Sequence, residues 1–210
     1  MDAVVFDLDG VLVDSERVWD EVRQAFAAAH GGVWSADTTR AMQGMSTPEW
    51  AAYLVSEVGV RLPAAQVASG VVSEMTRRYA AGPPVLPDAV SVVRAVASRV
   101  PVAIASSSPP VLISSFLRAT GLDDVVRVAL SSEEAGAGKP APDVYLLAVA
   151  RLGVTASRSA AVEDSTNGLK SALAAGLTVF AVPNPHFPPD PVVLARTSVL
   201  GSLAELPGLL

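Results

Sequence analysis

From Pro87 onward the chain alternates between helix-like stretches and short apolar runs, and that alternation restricts the fold more than any other feature. Helical spacing is read over residues 87–98, 111–120, 142–152 and 167–175. Strand-like runs lie over residues 100–106, 125–130, 159–162 and 177–182. Helix and strand in turn make βαβ units, and these build a parallel sheet. A run as uniformly apolar as Val102-Ala103-Ile104-Ala105 has no polar face to offer water, which fits a sheet covered on both sides. The expected class is α/β, with a Rossmann-like parallel sheet.

One strand stands apart from this series. Val4-Val5-Phe6 reads as buried β, but residues 15–81 then carry a helical and more polar pattern. Apolar residues recur at helical spacing in Trp19, Val22 and Phe26, and again in Trp50, Tyr53 and Leu54. Ser15 and Ser46 are candidate helix N-caps; Glu49, three residues after Ser46, completes a capping box, and Pro48 suits a helix start. Gly31-Gly32 breaks the block, and Gly82-Pro83-Pro84 reads as a linker out of it. The expected organisation is an α/β core of residues 1–14 and 82–210. An all-helical cap domain, residues 15–81, is inserted after the first strand. Residues 183–191 read as a proline-rich loop.

Composition matters here for what it excludes. Half of the 210 residues are hydrophobic, enough for a sizeable core. The net charge is −6 and no basic run exists, which argues against a nucleic-acid partner. A small anionic substrate remains open if the site carries its own cation. The absence of cysteine removes disulfides, thiol nucleophiles and cysteine–zinc sites, and fits a reducing cytoplasm. The opening apolar run is broken by Asp7 and Asp9, so no signal peptide or membrane span is expected.

In open α/β sheets ligands bind beyond the carboxyl ends of the strands. The first strand ends in Asp7-Leu8-Asp9-Gly10, where two acids one residue apart need a cation or a shared proton. The strand through Ile104 ends in Ser106-Ser107-Ser108, and the one through Val162 in Glu163-Asp164-Ser165. Gly138-Lys139-Pro140 opens a loop between them. Hard carboxylate oxygens suit magnesium, and a carboxylate can attack phosphorus. A lysine and a hydroxyl could neutralise and hold the transferring group. A second carboxylate could move the proton of the leaving group and of water.

At these residues the chain resembles the haloacid dehalogenase-like superfamily, in the subfamily of β-phosphoglucomutase and many small phosphatases. Asp7-Leu8-Asp9-Gly10-Val11, Ser106, Lys139-Pro140 and Glu163-Asp164-Ser165 look like its four motifs, in order. The resemblance implies a nucleophilic, magnesium-ligating Asp7. Asp9 would be the general acid/base and would ligate Mg2+ through its backbone carbonyl. Ser106 would bind the phosphoryl group, with the Ser107 amide beside it. Lys139 would neutralise the nucleophile and the phosphoryl group. Asp164 would ligate the metal, with Glu163 as ligand or as its water-linked partner. The expected activity is hydrolysis of a small phosphorylated metabolite by way of an aspartyl-phosphate, in a cytoplasmic monomer or weak dimer. A sugar phosphate, a phosphoglycolate-like acid and a nucleotide all remain open as substrates.

Asp9 separates this chain from haloacid dehalogenases of the superfamily, which lack an aspartate two residues after the nucleophile. The absence of any lysine before Lys139 argues against a Schiff-base phosphonatase. A β-phosphoglucomutase-type mutase is the alternative. Trp19 stands where mutases carry a cap histidine, and Thr47 where they carry a phosphate-clamping arginine. A threonine cannot make that forked contact, so hydrolysis is favoured. Ser108, Asp143, His30 and His186 read as structural, Trp34 and Trp50 as cap packing, and Arg77 and Arg78 as a solvated helix face. Trp19 is the one tryptophan read as a candidate substrate contact.

Overall fold

The computed structural model describes residues 1–42, 44–185 and 187–210. Among the described residues, six parallel strands form one sheet. They are β1 (Val4–Phe6), β2 (Val102–Ser106), β3 (Val126–Ser131), β4 (Ala160–Glu163), β5 (Thr178–Ala181) and β6 (Ser198–Val199), in the spatial order β3-β2-β1-β4-β5-β6. Between β1 and β2 run α1 (Glu16–Ala29), α2 (Ala36–Met42), α3 (Thr47–Ser56), α4 (Ala64–Ala80) and α5 (Ala89–Ala97). After β2 come α6 (Pro110–Thr120), α7 (Ser132–Ala135), α8 (Asp143–Leu152), α9 (Thr166–Ala174) and α10 (Pro191–Leu194).

The pleat of β1 sorts its residues between two cores. Val4, Phe6 and Leu8 join Val102, Ile104 and Val162 in a cluster covered by α5 and α6. Val5 joins Ala103, Ala105 and Ala161 in a second cluster covered by α8 and α9. Both faces of the sheet are thus dry, as the uniformly apolar runs require. Phe6 and Ile104 are wholly buried; truncating either to alanine costs about 2–5 kcal/mol. Leu8, between the two aspartates, is also fully buried, and its carbonyl accepts the N–H groups of Val11, Leu12 and Val13.

A third cluster unites α1 to α4. Trp19, Val22, Met42, Trp50, Leu54, Val67, Val71 and Met75 pack together, and Leu112 at the start of α6 joins them. The i, i+3 and i+4 spacing of these residues turns one face of each helix inward. The cap-like block therefore has its own core and rests on α6.

Several local expectations need correcting. Ser15 stands at the start of α1, but its hydroxyl donates to Asp9 Oδ1 instead of capping the helix. The Ser46 box is present: Glu49 accepts the Ser46 N–H at 2.8 Å and its hydroxyl at 2.5 Å. The short elements α7, α10 and β6 escaped the periodicity, being two to four residues long. A run that short holds less than one full pattern repeat. Helix α5 begins two residues later than expected because Asp88 takes a left-handed φ of 63°. His186 lies outside the described residues.

Candidate active site

The register of the sheet brings the expected strand ends together. Phe6 lies beside Ile104 of β2 and Val162 of β4, so the next residue, Asp7, emerges between those strands. Its N–H still continues the ladder, donating to Val162 O at 2.9 Å. The pleat sends Asp7 toward the α8 side. There Lys139, from the loop before α8, donates to Asp7 Oδ1 at 2.6 Å, to Glu163 Oε1 at 2.5 Å and to Ala105 O at 3.1 Å. All three ammonium hydrogens thus have acceptors, and the group is 4% exposed.

Glu163, the last residue of β4, is wholly buried and saturated. Its Oε1 also accepts the Tyr145 hydroxyl at 2.7 Å. Its Oε2 receives Asp164 N–H at 3.2 Å, Ser165 N–H at 3.4 Å and the Ser165 hydroxyl at 3.3 Å. A β-carbon at Gly168 would fall 2.0 Å from this carboxylate, so only glycine fits at that turn of α9. Gly10 does the same for Asp164: its φ is +81°, and a β-carbon there would sit 2.0 Å from Asp164 Oδ2.

Asp9 is held apart from this group by donors of its own. Its Oδ1 accepts the Ser15 hydroxyl and, at 3.0 Å, Trp19 Nε1–H. Its Oδ2 accepts the Ser108 hydroxyl at 2.7 Å and the Ser106 hydroxyl at 3.3 Å. Ser108 was read as structural; it contacts Asp9 directly. Ser106 also accepts the Ser108 N–H at 2.9 Å, while Ser107 donates its hydroxyl to Gly44 O of the cap at 2.8 Å.

The electrostatics are those of a crowded acidic site. Asp7, Glu163 and Asp164 offer oxygens within 4.8 Å of one another, against the one ammonium of Lys139. Burial, and then repulsion from Glu163, pushes Asp7 well above the ordinary carboxylate range. Burial, and then Glu16, does the same to Asp164. Burial alone would lower the Lys139 ammonium, but Asp7 and Glu163 outweigh it and hold the group charged. Three close carboxylates of hard oxygen character fit a divalent cation such as magnesium, which would relieve this repulsion.

The cavity above these groups, about 500 Å³ and partly open to solvent, is roofed by the cap. Glu16, Trp19 and Arg23 of α1 line it, with Trp50 of α3 and Met42 and Met45. Trp50 was read as packing alone; it is 1% exposed and also forms part of this wall. Glu16, Arg23 and Tyr145 were missed. The i, i+3, i+7 spacing puts Glu16 and Arg23 on the helix face of Trp19, the candidate substrate contact, but does not by itself make that face a cavity wall. Asp143 starts α8, Trp34 packs half-buried against the cap cluster, and His30 Nδ1–H donates to Phe26 O at 2.8 Å, all as expected. Arg77 and Arg78 pair with Glu74 on an exposed face, again as expected.

A family model for haloacid dehalogenase-like hydrolases matches residues 1–176, and the chain belongs to that family. The plasmid CbbY protein of Cupriavidus necator is 32% identical over 227 residues, covering 100% of this chain and 86% of its own. Hexitol phosphatase B of Escherichia coli K12 is 30% identical over 210 residues, covering 97% of this chain and 93% of its own. Among solved structures, CbbY from Rhodobacter sphaeroides in complex with phosphate matches with a TM-score of 0.86 at 25% identity. That match covers 98% of this chain and 96% of the other. Among the described residues, no helix is long and apolar enough to cross a membrane.

Proposed function

We propose that this chain is a magnesium-dependent phosphatase that hydrolyses a small phosphate monoester through an aspartyl-phosphate on Asp7. The observation that carries this reading is the division of labour between two neighbouring carboxylates. Asp7 is buried against Lys139, which bonds its Oδ1, and among the described residues no hydrogen bond engages its other oxygen. Asp9 faces the cavity, held by Ser15, Trp19 and Ser108. Two carboxylates in contrasting environments suit a nucleophile and an acid/base.

Asp7, Asp164 and the Asp9 backbone carbonyl would hold Mg2+. The ion would neutralise charge on the phosphoryl oxygens. Glu163, with both oxygens already engaged, serves better as an outer partner that fixes Lys139 and the Asp164 backbone. In the first step an Asp7 oxygen attacks phosphorus, the bond to the alcohol oxygen breaks, and Asp9 gives its proton to that oxygen. In the second, Asp9 takes a proton from water, whose oxygen displaces phosphate from Asp7. Ser106, the Ser107 amide and Lys139 position the transferring group.

Residues 15–81 act as the cap domain over a core of 1–14 and 82–210. The relatives named as phosphatases support hydrolysis over a mutase. So do Trp19 and Thr47, which provide neither a titrating base nor a guanidinium. The chain's lack of cysteine supports a cytoplasmic setting; we read it as a monomer or weak dimer. Phosphate release from p-nitrophenyl phosphate with added magnesium tests the mechanism. Asp7→Asn lowers kcat by about four orders of magnitude or more. Unchanged turnover in that variant overturns it.

A further inference from the structure

Arg23 forms no ion pair among the described residues. Its guanidinium carbon lies 4.6 Å from the centroid of the Trp19 ring and 4.9 Å from that of Trp50, so two indoles hold it in place. Its Nε is buried with no hydrogen-bond partner, and no carboxylate among the described residues comes within ion-pair distance of it. Glu16, Asp9 and Asp20 are near enough to favour its charge, but burial is the larger influence and lowers it to about 10.

This is an unusual place to leave a guanidinium. Contact with aromatic faces contributes attraction but satisfies none of the five N–H donors of a guanidinium. A partly buried charge without a partner is costly. The side chain lines the same cavity as Asp7, Asp9 and Lys139. Lys139 is fully engaged at the floor, so Arg23 is the cation of this cavity left free for a ligand among the described residues.

We propose that Arg23 docks a second anionic group of the substrate, so that this enzyme prefers phosphate monoesters whose alcohol bears a carboxylate or a further phosphate. The inference rests on the phosphatase reading above. A planar guanidinium grips either group through two parallel N–H bonds. The helix sets the reach. Trp19 is bonded to Asp9, and Arg23 lies one turn beyond it, about 6 Å further along the α1 axis. The second anion therefore sits across a short carbon chain from the scissile phosphate. The forked contact that Thr47 cannot make is supplied from a different helix.

Matched pairs of esters test this: phosphoglycerate against glycerol phosphate, and a hexose bisphosphate against the hexose monophosphate. The first pair probes a carboxylate and the second a phosphate. In the wild type, kcat/KM favours the anion-bearing member of at least one pair by about tenfold or more, chiefly through KM. Arg23→Gln abolishes the preference, and Arg23→Lys, which keeps the charge but loses the fork, retains part of it. Calorimetric binding of the same pairs to Asp7→Asn, with and without Arg23→Gln, reads the preference without turnover. A purely structural role for Arg23 would lower the melting temperature and leave the ratio unchanged, and that result overturns the proposal. Equal treatment of both members of both pairs by the wild type overturns it too. If no ester releases phosphate, the phosphatase reading fails, and the binding arm still decides Arg23.

Discussion

The floor and the roof of the cavity satisfy their polar groups in opposite ways. On the floor, Lys139, Glu163 and Asp9 have their polar atoms matched within the protein. Among the described residues, Arg23 Nε and Thr47 Oγ1 are buried side-chain atoms without a hydrogen-bond partner. Both lie in the helical block above the sheet, and Arg23 lines the cavity. An unmet buried polar group costs about 1–3 kcal/mol. The contrast shows where preorganisation ends: the reacting groups are fixed before a ligand arrives, while Arg23 in the roof keeps bonding capacity in reserve.

The largest test of this contrast is Lys139→Met. It leaves Asp7 and Glu163 facing each other at the floor without their shared cation. Breaking a buried pair this way costs about 3–5 kcal/mol of stability, alongside loss of turnover. Denaturant unfolding reads the first and phosphate release the second. Arg23→Met, which breaks no ion pair among the described residues, is expected to cost less, and an equal cost would erase the distinction.

Metal and pH come next. Asp7, Asp164 and Glu16 all have raised values in the folded chain, Glu16 reaching about 7 from 4.5 through burial and then repulsion by Asp9. An acid raised on folding keeps its proton longer in the native state, so metal-free stability falls as pH rises from the ordinary carboxylate range toward 7. Magnesium should reverse this, raising the melting temperature more at pH 8 than at pH 5. For a chain this size, each kcal/mol is worth about 2–4 °C. A magnesium shift independent of pH would mean that the floor's acids do not bind it.

Ser108→Ala gives the smallest effect. Asp9 loses a 2.7 Å donor but keeps Ser15 and Trp19. One hydrogen bond to a charged group corresponds to about tenfold in kcat. Because Ser108 acts through Asp9, the acid or base limb of the kcat–pH profile should move as well. A change in stability with an unmoved profile would return Ser108 to a structural role.

Legibility in the sequence follows the same division. The floor was readable because strand ends are punctuated: an apolar run stops and an acid, a serine or a Glu-Asp pair begins. The parallel sheet then decides which ends meet. Lys139 stood out against a chain with only two lysines. Tyr145 was not readable, because a tyrosine on the buried face of α8 looks like core until its hydroxyl is seen on Glu163. Glu16 and Arg23 look like ordinary surface charges in a polar helix. Only the docking of α1 above Asp9 makes that face a cavity wall. Ser15 shows the converse: a good capping residue by type gives its hydroxyl to Asp9 instead of accepting from the N–H groups of the helix.

Leu8 is not among the residues that line the cavity, yet it spaces the two acids. Its side chain is anchored in the sheet's core, and its carbonyl closes the turn that carries Asp9. It acts as a rivet between two moving parts of a reaction, letting neither carboxylate slide toward the other. A leucine invisible to the substrate thus keeps attack and proton transfer as two separate tasks.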